Sequence, residues 1–284
     1  MELHFGQDCV SFIKTLIANF CKNIILLRIS CFLVLVFLIP GLLSGQELLK
    51  VANKQWRKAL NEKDFTFNLK DYYFKRACLL SPKGEKEIKA YEVFNNFFAM
   101  LKTQIGKVKK ASTLHYVTDK NRNILEVGTL KSKLKNKFAY VTAWHNEDGK
   151  LKKEVHLIYP ISDAFFTASK KGIFDSDIDQ ARNLWTEFSN SHMPSKLLKI
   201  LYKKDALYFN QGKLYRGFKE INPKYAYMSN QNWKINLYPE KVLQISETSA
   251  LEIGHYVSNG KGHYILVWER DEKGTWKVAF DFNF

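Results

Sequence analysis

The chain has 284 residues, 46% hydrophobic and 14% aromatic, with 44 Lys and Arg against 28 Asp and Glu and a formal charge of +16. That composition excludes a disordered chain and suffices for about two packed domains. Only seven of the 44 basic residues are arginine, the side chain suited to bidentate phosphate and base recognition, so no nucleic-acid partner is expected.

The chain opens with an apolar segment. Ile29 to Leu43 reads ISCFLVLVFLIPGLL, without a charge, after Lys14, Lys22 and Arg28 and before Ser44-Gly45. A basic flank, a short apolar run and a small-residue end describe a secretory signal peptide, whereas a bilayer span needs about 20 residues. Residues 1–45 are therefore expected to be a leader. The mature chain, from Gln46, is expected to be periplasmic or secreted, with anchoring by the N-terminal segment as the alternative. Cys9, Cys21 and Cys31 fall within the leader, and Cys78 is the one cysteine beyond it. A single cysteine makes neither an internal disulfide nor a Cys-rich zinc site.

Residues 46–160 form a first predicted domain. Leu48, Val51, Ala52, Trp56, Ala59 and Leu60 recur at helical spacing, with lysines on the other side. Asp64 is a good N-cap for a second short helix. Ala77–Leu80 reads as a strand ending at the turn Ser81-Pro82-Lys83-Gly84, and 85–101 as a helix with an aromatic stripe. Strands are expected near 111–118, 123–135, 137–146 and 150–159. A linker, 161–174, precedes a second predicted domain at 175–284. Here Asp175 or Ser176 caps a helix carrying Ile178, Ala181, Leu184, Trp185 and Phe188. Pro194 opens another helix, a strand covers 206–209, and a short helix covers 217–228. Strands follow near 231–237, 241–246, 248–258, 261–270 and 275–284.

The two domains repeat each other. Leu125-Glu126-Val127-Gly128 recurs as Leu251-Glu252-Ile253-Gly254, Trp144 as Trp268 and Gly149 as Gly274, at offsets of 126, 124 and 125. Ala52 and Trp56 recur as Ala181 and Trp185 at an offset of 129. Constant order at near-constant spacing marks one domain built twice. Helices ahead of an antiparallel meander make an α+β fold, with two cone-shaped domains of helices packed on a curved sheet. The charge is uneven: residues 46–160 hold 24 basic and 12 acidic residues, against 17 and 14 from 161 onward.

The second domain resembles the nuclear transport factor 2-like superfamily, in its SnoaL-like branch. The residues that carry the resemblance are Trp185, Tyr202-Lys203-Lys204-Asp205-Ala206, Gly217-Phe218-Lys219-Glu220-Ile221 and Gly254-His255-Tyr256. The most specific is the last hairpin, Tyr264 to Trp268 and Gly274 to Asp281. The first domain resembles the family through the repeat; it has Arg76 in place of Asp205 and Leu151 in place of Trp276. The resemblance implies a cone with an apolar pocket and dimerisation through the sheet, here as a dimer or an intramolecular pseudo-dimer. The superfamily holds isomerases, cyclases and dehydratases beside members that only bind or scaffold, so the pocket must decide.

Strand alternation puts Trp276, Val278, Phe280, Phe282 and Phe284 on one face and Ala279, Asp281 and Asn283 on the other. Asp281 is the candidate pocket carboxylate, aligned with His156 in the first domain, where Glu154 shares the face of His156. Tyr208 and His255 are candidate hydrogen-bonding partners, and Trp233 a candidate pocket wall. A histidine or tyrosine in a half-buried strand is more often structural, and His115 opposite Glu126 is a chance-level pairing. Lys131, Lys133, Lys135 and Lys137 alternate along one face, as a solvated edge or as a weak contact with an anionic envelope surface. No phosphate-binding glycine loop, nucleophile elbow or metal-binding helix motif occurs, so no cofactor and no metal is expected. The leading reading is a non-catalytic pocket for a small apolar or amphipathic ligand, or a scaffold. The alternative is an isomerase, cyclase or dehydratase using Asp281 with Tyr208 or His255 as acid-base groups.

Overall fold

The computed structural model describes residues 44–62, 69–80, 103, 105–119, 123–134 and 136–284. Residues 1–43 of the expected leader at 1–45, the helix after Asp64, the 81–84 turn, the 85–101 helix and Lys135 lie outside the described residues. Helix α1, Gly45–Asn61, starts at a reciprocal cap. The Ser44 N–H donates to the Glu47 carboxylate (2.9 Å), and the Glu47 N–H donates to the Ser44 hydroxyl (3.3 Å). A 3-10 turn, Leu69–Tyr72, leads into β1, Tyr73–Leu80. The meander follows: β2, Val108–Thr118; β3, Ile124–Ser132; β4, Lys137–Glu147; and β5, Lys150–Pro160. Then come helices α2, Asp163–Lys170; α3, Asp177–Asn190; and α4, Pro194–Leu201. Strands β6, Tyr202–Asn210, and β7, Lys213–Arg216, form a hairpin before a short helix α5, Gly217–Ile221, and 3-10 turns at Asn222–Lys224 and Ala226–Ser229. The chain closes with β8, Asn236–Gln244; β9, Ser249–Val257; β10, Lys261–Arg270; and β11, Trp276–Asn283. Among the described residues no helix is long and apolar enough to cross a membrane.

The two sheets have one topology. The first runs β1-β5-β4-β3-β2 and the second β7-β6-β11-β10-β9-β8, so each strand of the first has its counterpart in the second. In both, the last strand returns to lie parallel against the first. The two strands expected near 231–237 and 241–246 are replaced by one, β8. The strand is continuous, with its irregularity between Pro239 and Lys241, and it lies at the sheet edge, where proline costs no ladder bond. The linker is not bare: it holds α2, whose Phe166 is buried with the strands.

The first sheet presents one face to α1 and the second sheet one face to α3 and α4, and the other faces of the two sheets meet. Leu125, Val127, Val141 and Leu157 pack with Leu251, Ile253, Ile265 and Phe282 in one apolar core. Burial of this kind stabilises by about 25 cal/mol per Å² of apolar surface removed from water. A second core joins α3, α4 and the inner face of the second sheet through Ile178, Trp185, Leu198, Leu266 and Trp268.

A bulge in the last strand of each copy decides which side chains reach the inner face. The β10–β11 register shifts between Val267 and Trp268, passing from Phe280 to Val278 and leaving Ala279 unpaired. The extra residue breaks the two-residue alternation. Trp276 and Val278 therefore join Asp281 on the helix side, while Phe280 and Phe282 turn to the opposite sheet. This corrects the single face expected for Trp276 through Phe284. The same bulge falls at Glu154 in β5, where Ala143 pairs with Val155 and Trp144 with Lys153. Lys153, not Glu154, is thus the fully buried neighbour of His156, and Glu154 turns toward His145.

Candidate functional site

The repeated motif is a buried carboxylate with fixed donors. Glu252 is fully buried and accepts from the Arg182 Nε (2.7 Å) and Nη2 (2.8 Å), the Tyr264 hydroxyl (2.8 Å) and the Trp268 indole (2.8 Å). Glu126 accepts from the Asn53 amide (2.8 Å), Thr113 (2.6 Å), the Tyr140 hydroxyl (2.5 Å) and the Trp144 indole (2.9 Å). The glycine two residues on is required by the same tyrosine. A Cβ on Gly128 or Gly254 would lie under 3 Å from the Tyr140 or Tyr264 hydroxyl. His115 does not meet Glu126: it lies opposite Val127 and 3.6 Å from Glu240.

A second repeated constellation lies on the first and last strands. In the second copy the Trp185 indole donates to the Tyr202 hydroxyl (3.1 Å), and Tyr202 donates to Asp281 Oδ2 (2.5 Å). Tyr225, from the irregular segment after α5, donates to the same oxygen. In the first copy the Trp56 indole donates to the Tyr73 hydroxyl (2.9 Å), which bonds His156 Nδ1 (2.8 Å). Tyr73 and Tyr202 stand 129 residues apart, the offset of Trp56 and Trp185, so the spacing held a signal for them. Tyr225 falls within the helix expected at 217–228, which instead ends at Ile221 and gives way to two 3-10 turns on either side of Tyr225.

Asp281 lines a cavity of about 260 Å³ between the helices and sheet of the second copy. Trp185 and Trp233 form one part of its wall, and Tyr208, Tyr225 and Tyr227 another. Tyr256 and Tyr264 stand on β9 and β10, and Asn210, Ser258 and Asn283 supply further polar groups. Burial pushes the Asp281 carboxyl up to about 6, against the two tyrosine hydrogen bonds that hold it down. Burial, reinforced by Asp281, pushes Tyr208 up to about 12 and raises Tyr202 and Tyr225 well above the usual phenol value, so all three stay protonated at neutral pH. Tyr208 is also the β6 partner of Asp281 in register and accepts from the Asn210 amide (2.6 Å).

The structure thus gathers Asp281, Tyr208 and Trp233 in one cavity. His255 is a correction. Glu252, Gly254 and Tyr256 face the helices, so alternation turns His255 to the opposite face. There it bonds Glu240 (2.8 Å) and stacks on Tyr238. His156 lies in the first copy, buried beside Lys153, whose Nζ is 3.3 Å from His156 Nε2. The basic row is partly engaged: Lys131 and Lys137 are cross-strand partners that both sit over the Phe166 ring, and Lys137 pairs with Asp163 at 2.6 Å.

In each copy, a helix bearing a buried tryptophan packs on a four-stranded meander, the last strand lies parallel to the first, and a tyrosine on the first strand bonds the polar residue past the last-strand bulge. The fold is the α+β arrangement of helices on a mixed, mainly antiparallel sheet, present twice. No protein-family model matches the chain, and no curated protein does. Solved structures do. An NTF-2 like protein of unknown function from Shewanella oneidensis MR-1 is 15% identical over 38% of this chain and 96% of its own, with a TM-score of 0.35. An NTF2-like protein from Cytophaga hutchinsonii is 14% identical over 42% of this chain and 100% of its own, with a TM-score of 0.34. A cystatin-like fold from Caulobacter vibrioides is 17% identical over 38% of this chain and 86% of its own, with a TM-score of 0.34. These likenesses concern fold alone.

Proposed function

We propose that the second copy binds a small apolar or amphipathic molecule in its cone and that the first copy serves as the structural half of an internal pseudo-dimer. The observation that carries this reading is the aromatic cavity with one buried carboxylate on its wall. The first copy differs where it matters. It has Leu79 at the position of Tyr208 and the long side chain of Lys153 at that of Val278, and both are fully buried. The apolar run at 29–43 supports export to the periplasm or beyond, and the lysine excess of 46–160 supports weak contact with an anionic envelope surface.

The raised Asp281 carboxyl beside Tyr208 favours a second reading, acid-base catalysis on the bound molecule. Native mass spectrometry of chain purified without denaturant tests both. The binding reading expects a retained small molecule released on unfolding. Deuterium gained by that molecule in heavy water, and not with Asp281→Asn, marks catalysis. No retained mass, together with no uptake of a nonionic aromatic alcohol such as 2-phenylethanol, overturns the binding reading.

A further inference from the structure

The two copies differ in what occupies the inner end of the cone, and that difference identifies a ligand chemistry. In the first copy the Lys153 amine reaches in from β5 and lies 3.7 Å from the centre of the Trp56 ring and 4.6 Å from that of Trp144. The Tyr73 and Tyr140 rings are each 5.9 Å away, and His156 Nε2 is 3.3 Å away. The equivalents of Trp56, Tyr140 and His156 in the second copy are Trp185, Tyr264 and Asp281. All three line the cavity. Where Lys153 originates, the second copy has Val278, too short to follow. Tyr202 and Trp268, the equivalents of Tyr73 and Trp144, do not line it, so the cavity in one cone overlaps in part the place that the amine takes in the other.

The surroundings in the second copy suit a cation better than the first copy's do. His156 is replaced by a carboxylate, and Tyr202 and Tyr225 both donate to Oδ2, so Oδ1 takes neither hydroxyl. Half of the lining residues are Tyr or Trp, and none is Lys, Arg or His, although the chain holds 44 Lys and Arg. An anionic ligand would meet Asp281 with no counter-charge on the wall. A ligand ammonium would meet a carboxylate largely shielded from water and the faces of several aromatic rings. We propose that the second cone receives a small organic amine bearing an apolar group, its head placed among Trp185, Tyr264 and Asp281 as the Lys153 amine is placed in the first. This rests on the reading of the cavity as a ligand site and names the ligand class.

Calorimetric titration of the full chain at pH 8 with 2-phenylethylamine, 2-phenylethanol and 3-phenylpropanoate tests it, since an alkylammonium keeps its charge at that pH. The amine is expected to bind about tenfold or more tightly than the alcohol, and the carboxylate not measurably. Asp281→Asn should remove the preference for the amine over the alcohol, and Val278→Lys, which installs the first copy's amine, should abolish amine binding. Near-ultraviolet circular dichroism checks that each variant folds, and the wild-type comparison decides if neither does. Alcohol binding as tight as the amine, or a preference that survives Asp281→Asn, overturns the amine and leaves the pocket reading intact. No binding of any probe overturns both.

Discussion

Arg182→Met should lower the unfolding free energy by about 3–5 kcal/mol, the usual cost of stranding one partner of a buried ion pair. Arg182 and Glu252 are both buried and share two hydrogen bonds. Removing the guanidinium leaves Glu252 with the Tyr264 and Trp268 donors but no counter-charge. The first copy supplies the control. Its helix residue at the same position is Asn53, a neutral donor to Glu126, so Asn53→Ala should cost only about 1 kcal/mol. The double variant Arg182→Met with Glu252→Met should recover most of the loss. Urea denaturation measures all three; equal losses from Arg182→Met and Asn53→Ala would contradict the account.

Asp281→Asn should act in the opposite direction and depend on pH. The folded carboxyl titrates near 6 and the unfolded one near the ordinary aspartate value of about 3.9. The folded state holds the proton more tightly, so the stability linked to Asp281 is fully present below about pH 4 and is lost as pH rises through 6. A shift of about two units amounts to about 3 kcal/mol. The groups facing Asp281 are Trp185 from α3, Tyr202 and Tyr208 from β6, Tyr225 and Tyr227 from the segment after α5, and Tyr256 from β9. All of these tyrosines are raised above the usual phenol value and do not ionise in that window. Asparagine keeps an acceptor for the hydroxyls and carries no charge to bury. The variant should match the wild type near pH 4 and exceed it by about 1–3 kcal/mol at pH 8. An advantage of the same size at both pH values would contradict the burial argument.

Much of the fold was legible because the repeated residues are those that the architecture cannot exchange. Glu126 and Glu252 need indole and phenol donors, and Gly128 and Gly254 lie beneath the phenol, so the motif recurs for a physical reason. Asp281, Tyr208 and Trp233 were legible as polar or large residues on strands and loops of the second copy. The bulges were not. One unpaired residue at Ala279 and one at Glu154 reverse the alternation, which hid Lys153 and misplaced the Phe280 and Phe282 face. His255 failed for a related reason: adjacency to Gly254 put it on the right strand but on the wrong face. Tyr225 reaches Asp281 from between two 3-10 turns, where a continuous helix at 217–228 was expected.

The central claim is that a ligand enters the second cone and not the first. The six tryptophans of the chain report on it through their indole N–H resonances, assigned by single Trp→Phe variants in a nitrogen-15 correlation spectrum. On titration with 2-phenylethylamine the account predicts that the Trp185 and Trp233 resonances move, since both rings line the cavity. Trp56 and Trp144, packed on Lys153, should stay in place. Shifts confined to Trp56 and Trp144, or equal in the two copies, would contradict it.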